Sequence, residues 1–188
     1  MNPYLERFQE YVEVVRRAAD DEPNPHRKAM LRNMQRHMGY EFSGQDSKIL
    51  SPDMTVAHPV YNIKWGDYVT YDGAEAVQGY YNGVNQVQCV AEDHKLAVSD
   101  WGIASYSTFV RFVQGKVLAE EGEDIPKKDD TIYVQRLLMA MFWHYTPVED
   151  TRLIGEDVFM LTPPTHTELD PKDAFTAEEL AEIARTFL

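Results

Sequence analysis

His58 and Tyr61 stand three residues apart across a proline, in the run Asp53-Met-Thr-Val-Ala-His-Pro-Val-Tyr61. An imidazole that titrates near neutrality suits a general base or acid. A phenol beside it can donate to an oxygen that gains charge as the proton moves. Thr55-Val56-Ala57 reads as a short β-branched strand closed by Pro59, so His58 falls at a strand end, held firmly and able to point into a cavity. Tyr81 and Tyr106 are further donors of the same kind, and His144 is a second imidazole inside a long apolar strand. Each has a plainer reading as a core, interface or structural residue. Arg136 shares a strand face with His144 and, if buried, needs an anion: Asp157, Glu156 or a ligand carboxylate. Trp65, Trp101, Tyr133 and Phe142 could stack on a flat ligand, although Trp101 suits core packing equally well.

The elements that position these groups follow from periodicity. Tyr4, Phe8, Tyr11, Val15 and Ala18 recur at helical spacing over Pro3 to Asp20. Asp21 to Pro25 breaks that helix. Asn24 and Pro25 open a second one, read as stopping at Gly39, with a basic side (Arg27, Lys28, Arg32, Arg36) that reads as a solvated face. His37 falls on this helix, and Ser43 to Leu50 is a possible third. A loop follows Tyr61. Asp72, with Glu75 three residues on, then reads as a capping box for a helix through Val77, Tyr80 and Tyr81. Beyond it the pattern is of strands: Val87 to Val98, Trp101 to Val113, Lys116 to Glu121 after a Gln114-Gly115 turn, Thr131 to Thr146, and Arg152 to Leu161 after a turn at Pro147 to Asp150. Pro163-Pro164 ends the sheet. Thr176 and Glu179 cap a final helix to Leu188. His94, between Glu92 and Lys95, reads as part of a charged surface loop. Helices first and antiparallel strands after them mean α+β. Neither alternating set of the longest strand is polar, so both of its faces are covered, one by a cavity and the other by a second subunit.

The order strand, His-Pro, loop and Gly-Ala-Glu-Ala-Val-Gln-Gly-Tyr-Tyr81 helix resembles the NTF2-like superfamily, which includes ketosteroid isomerase, scytalone dehydratase and the SnoaL-like polyketide cyclases. The resemblance covers about Asp53 to Leu161. It implies a cone: a strongly curved antiparallel sheet with N-terminal helices closing an apolar pocket. It divides one domain into a helical extension or lid (1–45), a core (53–161) and a tail with its helix (163–188). It also implies a homodimer or homotrimer through the sheet. In ketosteroid isomerase the residue before this proline is the aspartate that moves the proton. Here it is His58, as in many SnoaL-like relatives, which keeps proton transfer but removes a fixed negative charge. Where that enzyme places an oxyanion hole on an early helix and a late strand, this chain offers Met34 and the stretch Met141 to His144.

Composition sets the outer bounds. With 188 residues the chain is long enough for a core without staples. A net charge of −13 argues against nucleic acid and anionic membrane as partners. The single cysteine, Cys89, excludes an internal disulfide. No signal-like or membrane-length run occurs, so the expected location is cytoplasmic. The histidines lack HxH or HExxH spacing, and no Gly-rich phosphate loop is present, so neither metal nor cofactor is expected. The leading expectation is a cofactor-independent lyase or isomerase for a bulky aromatic molecule. Its reaction would be dehydration, retro-aldol cleavage (formaldehyde loss from a lignin-type diaryl diol, for example), isomerisation or cyclisation. A non-catalytic binding or assembly module is the first alternative. Epoxide hydrolysis, with Asp157 and Arg136 in the site, is the second.

Overall fold

Asn2 accepts the backbone N–H groups of Tyr4 and Leu5 and thereby starts α1 (Pro3–Asp21). In the computed structural model, which describes residues 2–84, 88–147 and 150–188, Phe8, Val12, Val15 and Ala19 of α1 are buried at helical spacing. The expectations that fall on Val87 and on Val148 and Glu149 lie outside the described residues. Asn24 caps α2 (Pro25–Phe42) in the same way, through His26 and Arg27.

The expected stop of α2 at Gly39 is corrected, because the helix continues to Phe42. Gly39 is a packing glycine instead: a Cβ there would stand 2.6 Å from the Leu188 side chain and 3.3 Å from the Ala184 carbonyl oxygen. The extra turn carries Glu41. After it, only Asp46–Lys48 of the supposed third helix is helical, as one 3₁₀ turn.

Pro59 does not close the first strand, which continues as β1 (Thr55–Trp65). Its pairing shifts between Thr55 and Val60, and such an irregularity accommodates a residue without an N–H. The supposed loop after Tyr61 is the end of β1, a turn at Gly66 (φ +80°) and β2 (Asp67–Asp72). In α3 (Ala74–Val84) the first-turn bond runs from the Val77 N–H to the Gly73 carbonyl, so Gly73 occupies the cap position expected of Asp72.

β3 (Gln88–Ser99) and β4 (Gly102–Gln114) pair antiparallel. The expected strand over Lys116 to Glu121 is a short helix, α4 (Gly115–Glu120). The N–H groups of Gly115 and Lys116 bond the carbonyls of Thr131 and Asp129, and Leu118 is buried beside Val113, Ile125 and Tyr133. These ties draw the chain out of the sheet. β5 (Ile132–Tyr145) and β6 (Leu153–Met160) match expectation closely. Pro163-Pro164 does not end the sheet, because β7 (Thr165–Glu168) pairs with the start of β5. Thr176 and Glu179 form the capping box of α5 (Ala177–Arg185).

The seven strands form one curved, unclosed sheet in the order β2-β1-β6-β5-β4-β3, with β7 beside β5. β1 and β6 run parallel, and all other neighbours are antiparallel. A Cβ at Gly155 would lie 1.8 Å from the Val60 carbonyl oxygen, so glycine sets the β1–β6 approach next to Glu156. The main core joins residues of α1, α2 and α5 to the odd-numbered face of β5. Among the described residues no helix is long and apolar enough to cross a membrane.

Candidate active site

Side chains alternate along a strand, and the register decides which of them meet. Leu137, Met139, Met141 and Trp143 of β5 face one way, opposite Phe109 and Ser107 of β4 and Met160, Val158 and Glu156 of β6. Together with Tyr11, Met38 and Tyr81 from the helices, this face encloses a cavity of about 700 Å³, a size that suits a small organic molecule. Its mouth is bordered by Gly66, Asp67, Glu121 and Glu123.

The buried end of the cavity holds the titratable groups. The Tyr61 and Tyr81 hydroxyls are 3.1 Å apart, and the Tyr81 hydroxyl lies 2.9 Å from His37 Nε2. The same nitrogen is 3.5 Å from Glu156 Oε1 and 3.6 Å from Glu41 Oε2. Glu156 Oε1 and His37 Nδ1 have no hydrogen-bond partner in the structure. α2 delivers His37 and Glu41 one turn apart. β1 and β6 deliver Tyr61 and Glu156 as cross-strand neighbours.

Burial dictates the charge states. Desolvation raises Glu41 to about 8, with the negative charge of Asp46 adding to it. About a quarter of the Glu41 side chain is accessible, and Glu41 lines the cavity. Desolvation, followed by the charge of Glu41, holds Glu156 well above the ordinary carboxylate range. His37 is pushed down to about 3 by burial. At neutral pH the pair is therefore two carboxylic acids beside a neutral imidazole. Burial also raises Tyr11, Tyr61 and Tyr81 above the usual phenol value, which keeps all three as donors.

Of the residues expected in a site, Tyr81 and Trp65 line the cavity and Tyr61 stands directly behind Tyr81. The others do not. His58 shares its strand face with Val60 and Asn62, opposite to Tyr61. Its side chain is 71% exposed, and its Nε2 is bonded to Asp72 Oδ1 at 2.7 Å. Tyr106, Arg136, Phe142 and His144 are even-numbered residues of β4 and β5 and lie on the reverse face. There His144 Nε2 bonds Asp157 Oδ2 at 2.8 Å and the Trp101 ring lies tilted beside it, half exposed. Arg136 bonds Glu92 rather than Asp157 or Glu156. Tyr133 packs in the small second core, where its hydroxyl accepts the Lys127 N–H. Met34 is wholly buried in the main core without reaching the cavity. His94 is no surface loop residue, since it is buried against the Tyr11 ring.

Sequence reading missed Glu41, Glu156 as a cavity group, His37 and Tyr11. A usable signal existed for the first and third: residues 37 and 41, His and Glu, stand at i and i+4 on a helix that Gly39 does not end.

No family model matches the sequence, and no curated protein matches it. Solved structures do match in fold. A candidate SnoaL-like polyketide cyclase from Jannaschia sp. CCS1 aligns with a TM-score of 0.54 at 10% identity, covering 75% of this chain and 91% of that one. A candidate polyketide cyclase from Xanthomonas campestris pv. campestris aligns at 0.53 and 12% identity, covering 71% and 90%. The curved sheet, the helices packed with its cavity face and these alignments agree: the chain has the NTF2-like fold of SnoaL-like proteins.

Proposed function

We propose that the cavity is the active site of a cofactor-independent lyase or isomerase for a bulky, aromatic small molecule, with the Glu41–Glu156 pair moving the proton. One observation carries this reading: two carboxyl groups meet one imidazole nitrogen at the buried end of a cavity otherwise walled mainly by apolar and aromatic side chains. Two acids so close do not both ionise readily, so over a range of pH one is an acid and the other a base. In a double-bond shift the carboxylate takes a carbon-bound proton while its protonated partner donates to the carbonyl oxygen. Tyr81 hydrogen-bonds that oxygen as charge develops, and the proton returns at the new carbon. In a dehydration the acid protonates the departing hydroxyl and the base removes the proton from the adjacent carbon. Neither reaction changes the pair's proton count over a cycle.

The pH dependence follows from this scheme. The productive pair holds one proton. Glu41 gives up its proton at about 8, and burial holds Glu156 well above the ordinary carboxylate range. kcat/KM therefore climbs towards about pH 8 and declines once the second carboxyl ionises.

The test is a thermal-shift screen against aromatic diols, phenolic dimers, quinones and steroids, followed by product analysis. A ligand at a hundred times its Kd adds about 2.7 kcal/mol, a readable shift. The reading requires that Glu156→Gln and Glu41→Gln still bind a converted hit but no longer turn it over. A hit turned over by both variants but not by His58→Asn returns the chemistry to His58. Hits bound alike by all variants with no product leave a binding module. Epoxide hydrolysis through Asp157 and Arg136 loses its basis, since those side chains have separate partners on the reverse face.

We also propose that a second copy covers that reverse face, where Trp101 and Phe142 lie side by side, 49% and 37% exposed. Trp101→Glu should then shift the sedimentation coefficient to that of a monomer. A wild type that already sediments as a monomer overturns this.

A further inference from the structure

Arg111 is the one cation among the described residues that line the cavity, in a chain with 31 acidic and 18 basic residues. It projects from β4 on the cavity face, opposite Gln135. Its guanidinium lies over the Trp65 ring, 5.4 Å from the centroid. Gln135 Oε1 accepts from Nη1 at 2.8 Å, and the side chain of Arg111 is only 13% exposed. A guanidinium packed this way has a set plane, which suits carboxylate recognition.

Its present carboxylate partner is of a different kind. Glu121 bonds Nη1 at 3.2 Å and Nη2 at 2.8 Å, but it sits on the turn after α4, before Gly122, and is 37% exposed. A carboxylate there returns to water at small cost. One held inside the cavity is screened far less.

We propose that Arg111 is the specificity residue of this site and that it selects an elongated aromatic carboxylic acid, whose carboxylate displaces Glu121. The oxygen-bearing far end of the molecule then reaches the Glu41–Glu156 pair. Arg111 lies opposite Gln135 and Glu156 opposite Trp143, eight residues apart on β5. That is about 26 Å of strand, shortened by curvature and by the inward reach of both side chains. Only a molecule with its rings in line touches both ends. The aromatic walls between, with Phe109 edge-on to Trp65 at 5.7 Å, fit such a body. This inference rests on the cavity being the active site, and its test reads binding alone.

The probes are a hydroxyterphenyl carboxylic acid with its two polar groups at opposite ends of three rings in line, and its methyl ester. Calorimetry measures both against wild type, Arg111→Gln, Arg111→Lys, Glu121→Gln and Glu156→Gln. Wild type should prefer the acid by about tenfold or more. Arg111→Gln should lose that preference while binding the ester as before. Arg111→Lys should keep part of it. Glu121→Gln, which removes the competing carboxylate, should tighten the acid alone. Glu156→Gln, at the hydroxyl end, should weaken acid and ester equally. Equal wild-type affinity for acid and ester, or an acid preference that survives Arg111→Gln, overturns the assignment and leaves the acid pair untouched. Failure of wild type to bind either probe overturns it together with the reading of the cavity.

Discussion

Glu156 and Asp157 are neighbours on β6, and both meet a histidine, yet they belong to different chemistries. Glu156 faces the cavity, is almost wholly buried and lies 3.5 Å from His37 Nε2. Asp157 faces the other way and lies 2.8 Å from His144 Nε2, with its second oxygen taken by the Asn62 amide at 2.7 Å. On the open face the carboxylate has conventional donors, water is at hand and the histidine is 40% exposed. On the cavity face both side chains are almost wholly buried. Burial drives the carboxyl up and the imidazole down until each is neutral. A histidine–carboxylate contact is thus no mark of a reactive site. Under the proposed function the reactive version is the one in which burial has removed the charge.

The sharpest way to break this contrast is to neutralise each carboxyl with its amide. Glu156→Gln should lower kcat by about 10²–10⁴, the usual worth of a positioned acid or base. Asp157→Asn should leave turnover of the same compound within about twofold, the scale of a change outside the site. Equal losses would mean that the reverse face takes part. Tyr81→Phe comes next. Removing a donor to a developing oxyanion should cost about 10²–10³ in kcat, with little change in KM.

A third experiment follows stability against pH. A carboxyl held up at about 8 binds its proton more tightly in the folded chain, so its stabilising effect is full below about 4.5 and fades as pH rises to about 8. His37, held down at about 3 from 6.5, acts in reverse: its effect fades as pH falls from 6.5. The carboxyls and His37 oppose each other between about 4.5 and 6.5, and above that the losses from Glu41 and Glu156, both held up by burial, remain. Each contributes a slope of up to about 1.4 kcal/mol per pH unit. Glu41→Gln should lessen the fall, seen as a smaller difference between the denaturation midpoints at pH 6.5 and 8 in the variant than in wild type. The smallest effect is expected at the surface: His58→Asn should leave the melting temperature unchanged, since its contact with Asp72 is exposed on both sides.

Much of the fold was legible because it rests on local rules. Asn24 and Thr176 cap the helices they were expected to cap, while Asn2, the cap of α1, was passed over. The apolar run expected over Thr131 to Thr146 is the strand β5. The site was less legible, for three physical reasons. Gly39 has the residue type of a helix stop but is needed for close packing of α5 and the chain end on α2, so the turn bearing Glu41 was cut away. The two faces of β5 are equally apolar, so periodicity could not say which one lines a cavity. The candidates on β5 therefore mixed Tyr133 of one set with Arg136, Phe142 and His144 of the other, and Asp157, whose pairing partner is Phe142, came into the site with them. Finally, His58 and Tyr61 lie three residues apart on one continuous strand, so alternation sends them to opposite faces; closing the strand at Pro59 hid this, and His58 lies outside while Tyr61 turns in. Alternation is reliable along a strand, but nothing local supplies its starting phase.

Glu41 stands in the last turn of α2, one residue before its end at Phe42. The unsatisfied carbonyls of that turn form the negative end of the helix, where a carboxylate is disfavoured and a carboxylic acid is not. Each time Glu41 ionises, the closing turn of the helix gains a repulsion that the protonated form lacks. The amides of Gly39 to Phe42 should then exchange with solvent more readily above about pH 8 than intrinsic rates predict, while those of residues 30–34 keep their protection. The end of α2 would loosen in step with the ionisation of the group it carries into the cavity.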